Sequence, residues 1–482
     1  MIVSSSSVAR IKASVTEKVF FGHEPTPELI AILLVYFVQG ILGLARLAVS
    51  FFLKDDLGLG PVEVSALVGV AALPWMIKPL FGFISDGLPI FGYRRRPYLI
   101  LSGLVGALAW VAMATVVNTP LAATLAIAAS SLSVAFSDVI VDSLVVERAR
   151  KESIGKAGSL QSLSWGASAA GGLMTAYLSG YLLEHFTVRT VFAVTAVFPL
   201  VVSCVAWVIT ETPVTERMDW AAVKHQLQQL RQAVSQKSIW MPTAFLFVWQ
   251  AMPTAESAFF FFTTNELKFT PEFLGRVRLV TSLASLIGVW VFQRFLKNVS
   301  FRTIFGWSTV ISAALGMTTL LLVTHANRSL GISDQWFSLG DNLILTVMGQ
   351  IAFMPVLVLA ARLCPPGIEA TLFALLMSVV NLAGLLSYES GAFLMHKLGI
   401  TESNFTNLAL LVVITNLTTL LPLPLLGWLP SSEDMPEESY DHQPPATLEL
   451  DLGASKHLAQ PFLPDLMTEL VVQSREPEPV EE

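Results

Sequence analysis

The chain is divided into apolar runs of about 20 residues, and short polar segments separate these runs. A helical run of this length crosses the roughly 30 Å hydrocarbon core of a bilayer, because each residue adds about 1.5 Å. Inside that core the backbone can satisfy its hydrogen bonds only as a helix or as a closed barrel. The runs therefore predict an all-α polytopic membrane protein.

Twelve such transmembrane helices are predicted in the 482 residues. They are expected near 28–52, 62–84, 98–117, 121–146, 157–184, 189–210, 240–263, 272–296, 301–324, 338–362, 367–395 and 404–428. The composition agrees, because 13% of the residues are charged, against about 25% in a soluble domain. The two cysteines lie in or near apolar runs and do not indicate a redox compartment.

The longest internal polar segment divides the twelve runs into two halves of six. We expect the following parts: a cytoplasmic leader (1–27), an N-terminal half (28–210), a cytoplasmic linker (211–239), a C-terminal half (240–428) and an acidic, disordered cytoplasmic tail (429–482). The tail is rich in proline and glutamate, a composition that does not support a packed core. The linker contains an amphipathic helical pattern over 220–234.

The two halves repeat part of their sequence. Residues 36–61 align with 246–271, keeping a glutamine, an aromatic run, an acid-bearing loop and a closing proline at an offset of about 211. Because the same helix directions recur, the repeat predicts two similar halves around an axis normal to the membrane, with a cavity between them. This arrangement resembles the major facilitator superfamily of transporters.

Basic residues are distributed unequally between the two predicted sides. With both termini inside, the inner segments hold 20 Lys and Arg residues and the outer loops hold five. Because short loops rich in Lys and Arg remain in the cytoplasm, we expect both termini and the linker to be cytoplasmic.

A compact charge cluster lies in the loop between the second and third runs. Asp86 ends the second run, and three consecutive arginines precede the third. We expect this loop to control exchange between conformations rather than to contact substrate. Other charged side chains end the fourth and tenth runs at the same predicted surface. The predicted gating residues are Asp86, Arg94, Arg95, Arg96, Glu147, Arg148 and Arg362.

Ionisable side chains inside the runs indicate functional positions, because each charge in hydrocarbon costs at least ~2.5–3.5 kcal/mol. Arg46 is either packed against helix carbonyls or faces the cavity as an anion-binding group. Lys78 and Asp138 are predicted at similar depths, so an ion pair between them would reduce the cost of burial. Asp142 lies one turn further along the same helix face. This group fits a structural gate as well as a substrate site.

The seventh run is interrupted at Pro253, between Gln250 and Glu256. Transporters place binding groups at such interruptions in the cavity wall. Arg278 is predicted at a depth comparable to that of Glu256, and the two form either a static ion pair or a site in which Glu256 titrates. Asp138 and Glu256 are the candidate proton carriers. We favour Glu256, because Lys78 should keep Asp138 ionised.

Three stretches resemble the signature segments of the folate–biopterin transporter family. They are WMIKPLFGFISDGLPIFGYRRRPYL, AFSDVIVDSLVVERAR with its continuation GKAGSLQS (which contains Gln161), and MPTAESAFFFF. Cyanobacterial and plastid members are the most similar, and the resemblance spans roughly residues 20–430. It implies a major facilitator fold and transport of folates or related pterins with protons as the coupling ion. It also implies functional roles for Lys78, Asp86, Asp138, Asp142, Glu147, Arg148 and Glu256.

The predicted substrate-binding residues are Arg46, Lys78, Asp138, Asp142, Gln161, Gln250, Glu256 and Arg278. Alternative substrates are another organic anion or S-adenosylmethionine. A membrane-embedded enzyme is disfavoured, because the seven histidines lie at run ends or in polar segments. A scaffold or receptor that acts through the acidic tail would not need buried charges.

We expect no cofactor, no nucleic-acid partner and a monomer in the lipid bilayer. The expected location is the inner (plasma) membrane of a cyanobacterium-like organism or a plastid envelope.

The charge asymmetry gives a topology prediction. Cysteines introduced at positions 56, 268 and 330 should react in intact cells with a membrane-impermeant thiol reagent, because these positions lie in the predicted outer loops. Cysteines at 225 and 440 serve as the matched controls and should react only after permeabilisation. Labelling of 225 or 440 in intact cells would show that the orientation is reversed.

Overall fold

The computed structural model describes residues 20, 23–149, 154–213, 228, 230–296, 299–363 and 369–430. The described residues are almost entirely helical. Their helices are α1 (Pro27–Asp56), α2 (Pro61–Gly87), α3 (Arg96–Thr115), α4 (Pro120–Ala149), α5 (Ile154–His185), α6 (Val188–Val208), α7 (in two parts, Lys237–Gln250 and Glu256–Phe261), α8 (Pro271–Leu296), α9 (Phe301–Val323), α10 (Asp334–Arg362), α11 (Glu369–Lys397) and α12 (Leu408–Trp428).

The predicted class of membrane protein is confirmed. In the part of the chain that the structure describes, nine helices are long and apolar enough to cross a bilayer. The other three, α5, α7 and α11, lie at the remaining predicted positions. A helical segment therefore matches every predicted run, with ends within about four residues of those expected. The count of twelve membrane crossings stays a prediction. Most of the amphipathic pattern at 220–234 and nearly all of the predicted leader and tail lie outside the described residues.

Two local signals begin most of these helices. A hydroxyl at the N-cap accepts the N–H of the third residue along, as Thr270 does from Phe273 at 3.2 Å. Proline at the first helical position needs no hydrogen-bond partner there and already has the helical φ angle. The hydroxyl caps are Thr26, Thr187, Thr270 and Ser300, and the initial prolines include Pro27, Pro61 and Pro271.

The predicted repeat between the halves is confirmed where α1 and α7 reach their ends. A π-helical turn covers Phe52–Asp56 in the first half and Phe262–Glu266 in the second, at an offset of 210 residues. Gly58 and Lys268, at the same offset, both have left-handed φ angles, of 63° and 56°. A proline then begins the next helix in each half. The sequence alignment on the glutamines gave 211, one residue more than the structural register.

Contacts between helix ends define two faces of the bundle. Arg148, near the end of α4, donates a hydrogen bond to Thr26 at the start of α1 at 2.8 Å. Backbone N–H groups of Arg94, Arg95 and Arg96, at the start of α3, donate to the Glu211 carboxylate just after α6 at 2.6–3.1 Å. We call this face the arginine end and the opposite face the distal end.

The two halves pack closely at the distal end. In α5 and α8 the backbones meet at Gly180 and Gly275, where a Cβ atom added to Gly180 would lie 2.3 Å from the carbonyl oxygen of Pro271. In α2 and α11 the hydroxyl of Ser65 donates to the carbonyl of Tyr388 at 2.9 Å. Both seams are therefore closed at this end of the bundle.

Aromatic side chains fill the space behind the closed seams. The ring of Phe192 packs against Phe52 and Trp110 within the N-terminal half, with centroid distances of 5.5 and 5.6 Å. Phe51 meets Phe260 of the other half edge to face at 5.2 Å. These contacts extend the apolar core of one half onto the other.

The glycine crossing gives a stability prediction. Gly180→Ala should lower the free energy of unfolding by about 1–3 kcal/mol, because the new methyl group has no space against the α8 backbone. Thermal unfolding of the purified protein in detergent measures this effect. Gly172→Ala in the same helix is the matched control and should cause no loss, since nothing lies within 4 Å of its added Cβ. Equal melting temperatures for the two variants would contradict the close crossing.

Candidate functional site

Four helices from both halves bring polar side chains together on the distal side of the bundle. Arg46 comes from α1, Glu256 begins the second part of α7, Arg278 lies on α8 and Tyr388 lies on α11. The Tyr388 hydroxyl donates to Glu256 Oε2 at 2.8 Å. Arg46 and Glu256 also lie within electrostatic range of Arg278. We call these four residues the distal cluster.

Arg278 reaches across the interface between the halves. Its Nη1 lies 3.4 Å from the carbonyl oxygen of Gly43 in α1 and 3.4 Å from the hydroxyl of Ser179 in α5. The Gly43 carbonyl lies where α1 is broken into Pro27–Ile41 and Leu44–Phe51, and it also accepts the N–H of Arg46 at 3.2 Å. The guanidinium therefore lies beside a backbone carbonyl of the opposite half at the helix break.

The break in α7 lies at the equivalent position of the repeat. Residues 251–255 leave the helix, and α11 supplies partners for the backbone groups that are released. Ser387 donates its hydroxyl to the Met252 carbonyl at 2.5 Å and accepts the N–H of Thr254 at 3.3 Å through its own carbonyl. The new helix then begins at Glu256, where a negative side chain is favourable near the helix N-terminus.

The charges of the distal cluster do not cancel. Arg46 and Glu256 are exposed, although each lies about 15 Å along its helix from the distal end. Arg278 and Tyr388 lie close to both of them at the boundary between the halves, so this exposure indicates a polar cavity rather than contact with lipid. The sequence allowed a static ion pair between Glu256 and Arg278, and these two described residues do not form one. With two arginines and one carboxylate, the cluster carries a net charge of +1.

A second group of charges lies deeper, between α1, α2 and α4. Lys78 Nζ contacts Asp138 Oδ2, which confirms the predicted ion pair, and each of the two side chains is only 14% exposed. The hydroxyl of Tyr36, which is 1% exposed, contacts Asp142 Oδ1. We call these four residues the central cluster. One ammonium group serves two carboxyl groups here, so this cluster, unlike the distal cluster, has no excess of positive charge.

The central cluster borders the other half through Trp75. This residue lies in the broken part of α2, at Leu73–Met76, and its carbonyl accepts a hydrogen bond from Asn381 Nδ2 of α11 at 3.0 Å. The Lys78 ammonium group lies 5.1 Å from the centre of the Trp75 ring, within the range of a cation–π interaction. The depth of Lys78 is therefore also a depth at which the halves meet.

The arginine loop, which we define as residues 86–96, is tied into the N-terminal half. Arg95 forms an ion pair with Asp86 at 2.7 Å and donates to Ser85 at 3.1 Å. The loop reverses direction at Phe91 and Gly92, which have φ angles of 53° and 82°. The charge cluster predicted from the sequence is therefore a structured turn.

Aromatic and backbone contacts hold the same turn from its other side. The Arg96 guanidinium lies over the rings of Tyr93 and Trp207, at 5.5 and 5.3 Å. Tyr98 donates to the Leu88 carbonyl at 2.5 Å. The loop thus joins the ends of α2, α3 and α6.

The remaining predicted site residues are less informative. Gln250 is half-buried at the end of the first part of α7, and Arg148 binds the start of α1, with the Glu28 carboxylate at 4.0 Å. The side chains of Glu147, Gln161 and Arg362 lie outside the described residues. No group of three metal-binding side chains occurs in the described ranges.

Three polar partners were not predicted from the sequence. Tyr36 and Tyr388 hydrogen bond to the carboxylates of Asp142 and Glu256, and Glu211 caps α3. Tyr36 is the first residue of the repeated stretch 36–61, and this repeat is the sequence signal that could have identified it. Tyr388 directly precedes Glu389, another polar residue within the same apolar run.

Comparisons with known proteins agree with this architecture. The model of the BT1 family matches residues 39–444. The folate-biopterin transporter of Synechocystis sp. is 59% identical over 471 residues, which cover 95% of this chain and 95% of the relative. Folate transporter 2 of Plasmodium falciparum is 32% identical over 84% of this chain and 88% of its own length.

Solved structures support the fold. The crystal structure of the nucleoside transporter NupG superimposes with a TM-score of 0.63 at 13% identity, and the match covers 83% of this chain and 98% of that chain. At this identity the similarity shows the fold alone. The fold is that of the major facilitator transporters, as predicted.

The central cluster gives a second stability prediction. Lys78→Met should lower the free energy of unfolding by about 3–5 kcal/mol, because Asp138 loses the ammonium group that pairs with it and Asp142 loses a nearby positive charge. Lys78→Met combined with Asp138→Asn should recover most of this loss, since the unpaired charge is removed. The fraction of monodisperse protein after detergent extraction, together with the melting temperature, measures both effects. If Lys78→Met alone is as stable as the parent, water or lipid headgroups solvate Asp138.

Proposed function

The chain belongs to the BT1 family, and we propose that it is a secondary transporter that moves folates or related pterins by alternating access with protons as the coupling ion. The family and the fold support the transporter class. The names of the relatives support the substrate class, and both the 59% and the 32% identical relatives are named for folate.

The observation that carries the proposal is the net positive distal cluster inside a polar cavity between the halves. A folate has a glutamyl group with two carboxylates at one end. An arginine guanidinium binds a carboxylate through two parallel hydrogen bonds, and it remains charged in any environment. Arg46 is exposed and makes no side-chain hydrogen bond to the described residues, so it is available for a substrate carboxylate.

The same charges provide a physical basis for proton coupling. With Glu256 ionised, the cluster carries +1, and with Glu256 protonated it carries +2, which matches two substrate carboxylates. We propose that substrate binding and proton uptake by Glu256 are coupled through this charge balance. Asp138 is the weaker candidate, because it is already held in an ion pair with Lys78.

Alternating access also needs gates at both membrane surfaces. The distal end, which is closed by the two seams, is proposed to face outward, and the arginine end is proposed to face the cytoplasm with both termini. The Asp86–Arg95 ion pair supports a gating role for the arginine loop, because it joins two elements that border the cytoplasmic surface. A monomer in the plasma membrane of a cyanobacterium, or in a plastid envelope, completes the proposal.

Other substrates fit the distal cluster less well. S-adenosylmethionine carries a sulfonium and an ammonium group against one carboxylate, so its net charge has the same sign as that of the cluster. Another organic dianion would satisfy the two arginines equally. Recognition of the non-anionic part of the substrate therefore decides between folates and other dianions.

Uptake by proteoliposomes tests the proposed function. The purified chain should accumulate labelled folate, and unlabelled pterins and folate fragments should compete. Arg278→Gln should weaken folate binding about tenfold to a hundredfold, the range for a lost hydrogen bond to a charged group. Arg276→Gln, two residues away and exposed, is the matched control and should bind normally. Absence of folate uptake by the intact parent chain would overturn the proposal.

Exchange and accumulation separate coupling from binding. Glu256→Gln should abolish accumulation driven by a pH gradient but retain exchange of labelled for unlabelled folate, because exchange needs no net proton movement. Glu389→Gln is the control from α11. If Glu256→Gln and Asp138→Asn both retain gradient-driven accumulation, neither residue is the proton carrier. If both variants lose exchange as well as accumulation, the two residues have a structural role or contact the substrate.

A further inference from the structure

The polar side chains of the cavity occupy two different depths. Along their helices, Arg46 lies ten residues before Asp56, Arg278 seven residues after Pro271 and Tyr388 nine residues before Lys397. At 1.5 Å per residue, the distal cluster therefore lies about 10–15 Å from the distal end.

A second level contains Trp75, Asp138 and Asn381. These residues lie 14 residues after Pro61, 18 residues after Pro120 and 16 residues before Lys397, which corresponds to about 21–27 Å from the distal end. The two levels are thus separated by about 10–12 Å along the membrane normal.

The deeper level has free acceptors and a flat apolar surface. The Asp138 Oδ1 and Asn381 Oδ1 atoms accept no hydrogen bond from the described residues, because Lys78 contacts the Oδ2 of Asp138 and Asn381 uses its Nδ2 on Trp75. The Trp75 indole is half-buried where α2 and α11 of opposite halves meet. A heteroaromatic ring with N–H donors on one edge can stack on the indole and donate to these oxygens.

We propose that this level is a pterin subsite, so that a folate lies along the membrane normal with its glutamyl carboxylates at the distal cluster and its pterin ring beside Trp75. The inference rests on the proposed function. A pterin has an amino group and a ring N–H on adjacent positions, which are the donors that the free acceptors require. The p-aminobenzoyl group lies between the pterin and the glutamate of folate, and this middle part of the molecule spans the distance between the two levels.

Charge decides the direction of the substrate. In the reversed orientation the two glutamyl carboxylates would lie beside Asp138 and Asp142, where a single ammonium group already serves two carboxylates. Like charges in such a buried site repel strongly, because little water screens them. The distal cluster, with its two arginines, accepts the same carboxylates favourably.

Two folate fragments test the subsite in purified full-length protein. Competition against labelled folate is measured with 6-hydroxymethylpterin, which has only the ring, and with p-aminobenzoylglutamate, which has only the anionic end. Trp75→Leu should weaken inhibition by the pterin at least fivefold, about the lower limit for loss of one base–aromatic stack. It should leave inhibition by p-aminobenzoylglutamate within about twofold, and Trp75→Phe should restore the pterin effect.

Arg278→Gln should give the opposite pattern, with weaker inhibition by p-aminobenzoylglutamate and unchanged inhibition by the pterin. Trp307→Leu, an exposed tryptophan on α9, is the matched control for Trp75 and should change neither. The fragment that still binds shows that each variant is folded.

Equal weakening of both fragments by Trp75→Leu, or weakening of p-aminobenzoylglutamate alone, would overturn the subsite while leaving folate transport intact. Failure of the parent chain to bind folate would overturn the proposed function, and the subsite with it.

Discussion

Every charge inside this bundle needs a partner inside the bundle, because the surrounding lipid offers none. Lys78 is positioned by Asp138, Tyr36 by Asp142 and Tyr388 by Glu256. These contacts join helices that the apolar packing alone would allow to rotate. The exception is the distal cluster, where two arginines exceed one carboxylate and the excess charge remains available for a ligand. The balance of charge thus separates the part of the interior that holds the fold from the part that binds.

The helix breaks have the same origin. A broken helix in a membrane exposes backbone groups that must be satisfied by protein. Ser387 satisfies those of α7, Arg278 contacts the Gly43 carbonyl at the break in α1, and Asn381 contacts the Trp75 carbonyl of α2. Each partner lies on a helix other than the broken one: Ser387 and Asn381 are on α11, and Arg278 is on α8. Arg278 and Asn381 belong to the half opposite to the break. The broken helix segments therefore provide backbone contacts between the two halves.

The sequence predicts positions along the membrane normal much better than positions around a helix axis. Hydropathy gave each helix end to within about four residues, and counting residues from those ends paired Lys78 with Asp138. The same count placed Glu256 and Arg278 at similar depths, yet Glu256 hydrogen bonds to Tyr388. Depth follows from residue number, whereas helix rotation depends on packing against neighbours, which one sequence does not contain. Glu211 was not predicted as a cap for the same reason.

The glycine crossing between α5 and α8 has a mechanical consequence. At Gly180 and Gly275 the two backbones touch without any interlocking side chain. The glycine contact itself consists only of dispersion contacts, and the hydrogen bonds beside it are few, from Arg278 to Ser179, from Tyr177 to Glu272 and from the Glu272 N–H to Glu184. A joint of this kind allows one rigid half to tilt against the other while both keep their internal packing. The seam that looks tightest in the structure is therefore well suited to be the place where the two halves come apart.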